Sequence, residues 1–180
     1  MNTIKNKLSI WHTFIVLLLI VSCTEPQSEL ASYGPIFENV MISENGVFRG
    51  LSLGNSIDTV LSIEKSTAME ADEGYLYYEF SVDSSASYNI AYTFDEIGLS
   101  EIQSDIFINQ SEQTEEVYNA FKSYFDKHYG TSQDHQGFAV WSVSSKKYGT
   151  VRINLSNESA DFTIEDSPGK ISLWIYPEKG

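Results

Sequence analysis

The sequence predicts an α+β fold: pseudo-duplicated helix-plus-antiparallel-meander units, with two main helices packed on one face of an antiparallel sheet. Three observations lead there. The first is the amphipathic stretch 114–130 (TEEVYNAFKSYFDKHYG), where Val117, Phe121, Tyr124, Phe125 and His128 recur at three- and four-residue spacing and share one helix face. The second is the chain on either side of it, which breaks into short segments of apolar and polar alternation. Period two with one polar face marks an antiparallel sheet covered on one side, and helices are the natural cover. The third is a weaker helix signal ahead of the first strand group, so that a helix followed by strands is used twice.

Residues 1–22 read as an export signal. Lys5 and Lys7 supply a positive start and residues 14–21 (FIVLLLIV) an apolar core, too short for the roughly 20 residues of a bilayer-spanning helix. The core ends in Ile20-Val21-Ser22-Cys23, which resembles the lipobox of bacterial lipoproteins. The resemblance implies that Cys23 is acylated and that the signal is cut before it. Several acyl chains, at about 0.8 kcal/mol per buried CH₂, make a stable anchor. By the same analogy, Thr24 rather than Asp after the cysteine implies the outer membrane; the analogy leaves the face open, and the periplasmic side is the expected localisation. Cys23 is the one cysteine, so neither a disulfide framework nor a thiolate metal site is expected. Residues 23–34 then read as the lipidated cysteine and a polar tether, and residues 35–180 as a single domain.

The chain carries a net charge of −14, and removing Lys5 and Lys7 with the signal takes it to −16. Such a balance repels phosphate backbones and argues against nucleic acid as a partner. The acids are dispersed, as on a well-hydrated exported surface.

The elements follow in chain order. Asn45-Gly46, between Met41-Ile42 and Val47-Phe48, is a two-residue turn signal, so a small hairpin or lead-in strand is expected within residues 35–48. Asn55 or Ser56 can cap a short helix with Asp58 in its first turn and Ile57, Val60, Leu61 and Glu64 on one face. Strands are predicted at 75–82, where Leu76, Tyr78, Phe80 and Val82 alternate with polar or tyrosine positions, at 88–95, and at 99–108. In the long helix Thr114 is the expected N-cap, Lys127 and His128 suit its negative end, and Gly130 stops it. Residues 132–137 read as a polar loop. Strands follow at 138–143 and 151–155, a short one around Phe162 and Ile164, and a last one at 171–176.

At Gly54-Asn55-Ser56-Ile57-Asp58-Thr59-Val60 the chain resembles small outer-membrane lipoproteins of the SmpA/OmlA (barrel-assembly accessory) type, in which lipobox and tether lead to a Gly-x-Ser/Thr-x-x-x-Val helix start and then a meander. The doubled helix-plus-meander order is also similar to the tandem β-lactamase-inhibitor-protein fold, two related units forming one curved sheet. The resemblance implies a binding module rather than an enzyme.

Catalytic motifs are sparse. His-Glu-x-x-His, Gly-x-Ser-x-Gly, phosphate-loop and calcium-loop spacings are absent. His128 belongs to the helix end. His135 sits in the polar loop, where only a triad assembled from distant residues could use it. Glu70, Asp72 and Glu73 form an acidic turn ahead of a strand. No metal or cofactor is expected. The aromatic pattern says more. If Leu76 and Phe80 face the helices, Tyr75 and Tyr77 face away; if Ile171, Leu173 and Ile175 are core, Trp174 and Tyr176 are also on the open face. Trp141 lies in a strand apolar on both sides and fits either face. Tyrosine and tryptophan on a polar sheet face are typical anchors for partners. The expectation is a non-enzymatic, lipid-anchored envelope protein that binds another protein as adaptor or inhibitor through Tyr75, Tyr77, Trp174 and Tyr176. A small-ligand or glycan carrier, with a pocket between helix and sheet, is the alternative, and a hydrolase using His135 a more distant one.

Overall fold

Period-two alternation builds one continuous sheet. In the computed structural model, which describes residues 28–159 and 168–178, the elements run in order α1 (Pro35–Met41), α2 (Ile57–Glu64), β1 (Glu70–Ala71), β2 (Tyr75–Ser81), β3 (Ala86–Asp95), β4 (Gly98–Ile108), α3 (Ser111–Tyr129), β5 (Gln133–His135), β6 (Phe138–Ser145), β7 (Gly149–Asn157) and β8 (Gly169–Pro177). The eight strands form one antiparallel sheet in the order β1-β2-β3-β4-β8-β7-β6-β5. The fold is α+β. Cys23 and the signal lie outside the described residues, as does the short strand expected around Phe162 and Ile164.

The alternation sorts the two faces as predicted. Leu76 and Tyr78 of β2, Tyr88, Ile90 and Tyr92 of β3, and Ile102, Ile106 and Ile108 of β4 are buried. So are Ile153 and Leu155 of β7 and Ile171, Leu173 and Ile175 of β8. Trp141, open to either reading, falls on this covered face at 2 % exposure and packs 5.3 Å from Phe125.

The helices differ from expectation in number and in their starts. Among the described residues three α-helices are present, not two. The extra one, α1, occupies the place of the expected lead-in strand. Its buried residues Ile36, Phe37, Val40 and Met41 fall at i, i+1, i+4 and i+5, a helical spacing, and Pro35 lacks only an N–H that the first turn leaves unpaired anyway. Asn45-Gly46 does turn the chain, but the pairing that follows is a single bridge, Phe48↔Leu51. In α2, Ser56 caps as expected by accepting the Thr59 N–H, while Leu61 turns out to solvent and Val60 and Glu64 face inward.

Helix α3 begins three residues before the expected cap. Thr114 is inside it, fully buried, with its hydroxyl bonded back to the Gln110 carbonyl at 2.9 Å. A buried hydroxyl needs a partner, and that carbonyl supplies one without capping the helix. The first turns of α3 lie so close to β8 that a Cβ at Gly169 would meet the Thr114 hydroxyl oxygen at 2.1 Å, so only glycine fits there.

Two short edge strands were not expected. β1 falls in the acidic turn and β5 in the polar loop, and all their residues are exposed. Two- and three-residue strands carry too few positions to show a period. The stretch read as tether ends in a 3-10 turn, Leu30–Tyr33, with Leu30 buried and the Tyr33 ring 5.5 Å from Tyr124 of α3. Phe37 joins α1 to α3 through Phe121 at 4.7 Å and Tyr124 at 5.2 Å. The aromatic cluster fills the space above the sheet.

Candidate functional site

The face of the sheet away from the helices carries the candidate site, and register decides which side chains meet there. Tyr77 pairs with Ala91, Ala91 with Gln103, Gln103 with Trp174, and Trp174 with Asn154, one transverse row across five strands. Tyr75 pairs with Thr93 and Thr93 with Glu101 in the neighbouring row, and Tyr176 with Arg152. All four sequence-predicted aromatics therefore share this face. They form two groups. Trp174 and Tyr176 touch, with ring centroids 4.3 Å apart, whereas Tyr75 and Tyr77 stand three strand spacings away from β8, roughly 14 Å. A single hollow of about 410 Å³ joins the groups, since Tyr75 and Tyr77 of β2, Trp174 of β8 and Phe138 of β6 all line it. The hollow reaches across this face from β2 to β6. Trp174 is the most exposed aromatic in it, at 38 %.

The hollow is polar and acidic around these rings. The Lys170 ammonium lies 3.0 Å from Glu158 and 3.3 Å from Asp105, and Asp105 also accepts the Ser172 hydroxyl at 2.6 Å. Burial alone would lower the Lys170 pKa, but the two carboxylates outweigh it and raise it. Burial likewise would raise Glu158, and the Lys170 ammonium overrides it and holds that carboxyl below its usual range. One cation is thus neutralised by two anions. Burial raises the Tyr75 and Tyr77 hydroxyls, with help from Glu70 and Asp72 for Tyr75 and from Glu79, which accepts the Tyr77 hydroxyl at 3.1 Å. Both phenols stay protonated donors at neutral pH.

The side chains considered for chemistry do not assemble. His135 is exposed on the β5 edge, and among the described residues no hydroxyl or carboxylate is hydrogen-bonded to it. His128 packs its ring 4.1 Å from Tyr124 and shares a hydrogen bond with the Tyr124 carbonyl. Asp72 accepts the Gly74 N–H at 2.8 Å and so closes its turn. Among the described residues no group of His, Cys, Asp and Glu is arranged to hold a metal ion. No helix among them is long and apolar enough to cross a membrane.

Sequence reasoning missed one constellation, the buried pair Arg49–Glu64 on the covered side. The Arg49 guanidinium donates to both Glu64 oxygens, Nε at 2.8 Å and Nη2 at 2.6 Å, while Nη1 donates to the Val40 carbonyl at 2.6 Å and to the Tyr88 hydroxyl at 3.2 Å. It also lies over the Phe80 ring, 5.1 Å from its centroid. Glu64 further accepts the Tyr92 hydroxyl. Burial would lower the Arg49 pKa, yet Glu64 raises it, so the guanidinium stays charged. The backbone at Arg49 is left-handed, φ +54°, which few non-glycine residues adopt. Its side chain joins the end of α1, the end of α2 and strands β2 and β3. With its donors satisfied inside the core, the pair is a structural clamp with no face turned to a ligand. The available signal was an arginine inside the apolar run Val47-Phe48-Arg49-Gly50-Leu51.

In comparisons with known proteins, no family model, no curated sequence and no solved structure matches this chain.

Proposed function

We propose that the protein is a non-enzymatic, lipid-anchored component of the cell envelope that binds another protein, as adaptor or inhibitor, through the open face of its sheet. The observation that carries this reading is the aromatic open face, with Tyr75, Tyr77 and Trp174 lining one hollow and Trp174 and Tyr176 the cleft beside it. Large, rigid, amphipathic side chains give contact area at low entropic cost and recur as binding hot spots. Cys23 anchors the chain to the outer membrane by the lipobox resemblance, and the periplasmic side is the expected localisation. The two halves are further inferred to be repeats. Each runs from helix to a four-stranded meander, and the order β1-β2-β3-β4-β8-β7-β6-β5 joins them through their last strands, as a twofold relation would. A carried ligand is less well supported. The space between helices and sheet, where it would lie, is filled by Phe37, Phe121, Tyr124, Phe125 and Trp141.

The test is purification of the acylated protein from its native envelope in mild detergent, read by mass spectrometry, beside a Tyr77→Ala, Trp174→Ala double variant. One stoichiometric partner, lost from a double variant that melts normally, is the expected outcome. A protein that purifies alone, or a partner retained undiminished by the double variant, would overturn the proposal. The same spectra read the acyl chains on Cys23.

A further inference from the structure

The two halves of the sheet meet along β4 and β8, and this ladder is shorter than its neighbours at one end. Its last pair is Ile102↔Ile175, whereas β3–β4 continues to Asp95↔Gly98 and β7–β8 to Val151↔Pro177. Beyond Ile102 and Ile175 the central strands part, and each stays with its own half. A bulge between Thr93 and Phe94 sits beside the fork, where an extra residue bends and twists the β3–β4 prong. A cleft of about 510 Å³ opens there, lined by Asp95, Ser100 and Glu101 on one prong and Trp174, Tyr176 and Pro177 on the other.

The walls of this cleft are chemically one-sided. They offer two π faces, the Trp174 and Tyr176 rings, inclined by 35°. They also carry two carboxylates and no lysine or arginine. The Asp95 carboxylate accepts the Tyr148 hydroxyl at 2.7 Å and the Ile97 N–H at 2.8 Å, bonds that fix its orientation. Glu101, half-buried on the same wall, forms no ion pair among the described residues. The nearest cation in the register, Arg152 beside Tyr176, is already paired with Glu178.

We infer that this cleft receives an arginine side chain of the docked protein, its guanidinium stacked on Trp174 and paired with Glu101. A planar, weakly hydrated cation can lie flat on an indole while its N–H fork meets a carboxylate, whereas a lysine ammonium is a strongly hydrated point charge that gains less from the ring. Anionic or purely apolar side chains would leave the two carboxylates opposed or desolvated. The inference rests on the docking face proposed above and names the anchor that the face selects.

The experiment titrates the full-length protein, ¹⁵N-labelled and in mild detergent, with acetyl-Gly-Arg-Gly-amide and with its neutral citrulline isostere, and follows the Trp174 indole N–H resonance. The expected result is a saturable shift with the arginine peptide, at least tenfold weaker binding of the citrulline peptide, and about fivefold weaker arginine binding in Glu101→Gln. The absence of a saturable shift, equal binding of citrulline, or an unaffected Glu101→Gln variant would each overturn it. The two readings fail separately: a partner lost on combining Tyr77→Ala with Trp174→Ala, but held unchanged by Glu101→Gln, removes the arginine and keeps the face, whereas a partner retained by the double variant removes the face.

Discussion

Tyr77 and Tyr78 are neighbours in one strand and live in different solvents. Tyr78 is 1 % exposed beneath the helices, in edge contact with the Tyr92 ring, while Tyr77 lies on the open face with its hydroxyl on Glu79. Trp141 and Trp174 repeat the contrast. Trp141 is buried with its indole N–H on the Asp126 carboxylate at 3.0 Å, and Trp174 is the most exposed aromatic of its hollow. The same residue types do opposite work because strand side chains alternate, so one residue of register separates holding the fold from being available to a partner. Ion pairs divide in the same way. Arg49–Glu64 is sealed under the helices, and Lys170 with Asp105 and Glu158 is wetted on the open face.

The largest expected effect breaks the contrast at tryptophan. Trp141→Ala should cost about 3–5 kcal/mol, because it opens a cavity beside Phe125 and removes a donor from Asp126. Trp174→Ala should change stability by less than about 0.5 kcal/mol, as exposed substitutions do. Denaturant unfolding of the two variants measures both, and equal losses would end the division of labour between the faces. Next comes the ion pair. Glu64→Gln should cost about 3 kcal/mol by leaving the Arg49 charge buried without its counter-ion, whereas Asp105→Asn on the open face should cost under about 1 kcal/mol. Their denaturation midpoints compare them directly.

How much of this was legible depends on whether a residue's role is written in its near neighbours. Leu76, Tyr78, Ile90, Ile171 and Ile175 declared their face through period two, and Val117, Phe121 and Phe125 through helical spacing. The placement of Tyr77 and Trp174 followed from the same alternation. Helix α1 was hidden because a two-residue turn signal after it drew the reading toward a hairpin. The pairing of β4 with β8, and hence the fork beside Glu101, joins residues some seventy positions apart, and no local pattern encodes it. Arg49 and Glu64 are fifteen residues apart, and what relates them is a fold that brings the ends of α1 and α2 together over β3.

A smaller effect concerns acid. The Asp126 carboxylate accepts from Lys122 at 2.7 Å, from the Ser132 N–H at 2.8 Å and from Trp141. Burial alone would raise its pKa, and these donors outweigh burial and hold it below the usual 3.8. A carboxyl depressed in the folded state stabilises fully above its unfolded value and loses that contribution as pH falls through the folded one. Melting temperature should therefore fall from about pH 5 downward in the native protein, and less steeply in Asp126→Asn. Parallel slopes for the two proteins would show that Asp126 does not couple the covered face to pH.

The finest test compares two hydroxyls within the covered face. The Tyr92 hydroxyl donates to Glu64, and burial, with the Glu64 charge, pushes its pKa well above the usual value. The Tyr78 hydroxyl is buried with no hydrogen-bond partner among the described residues. Removing a satisfied hydroxyl loses a bond to a charged acceptor, so Tyr92→Phe should cost about 1.5–3 kcal/mol. Removing an orphaned one relieves a desolvated dipole, so Tyr78→Phe should be neutral or stabilising by up to about 1 kcal/mol. Chemical denaturation of both variants reads the difference. If Tyr78→Phe destabilised as much as Tyr92→Phe, the Tyr78 hydroxyl would have to reach an acceptor in solution, and the covered face would be wetter than its packing implies. If it did not, the hydroxyl at position 78 contributes nothing to the fold, and the tyrosine there is retained for its ring, packed against Phe80 and Tyr92.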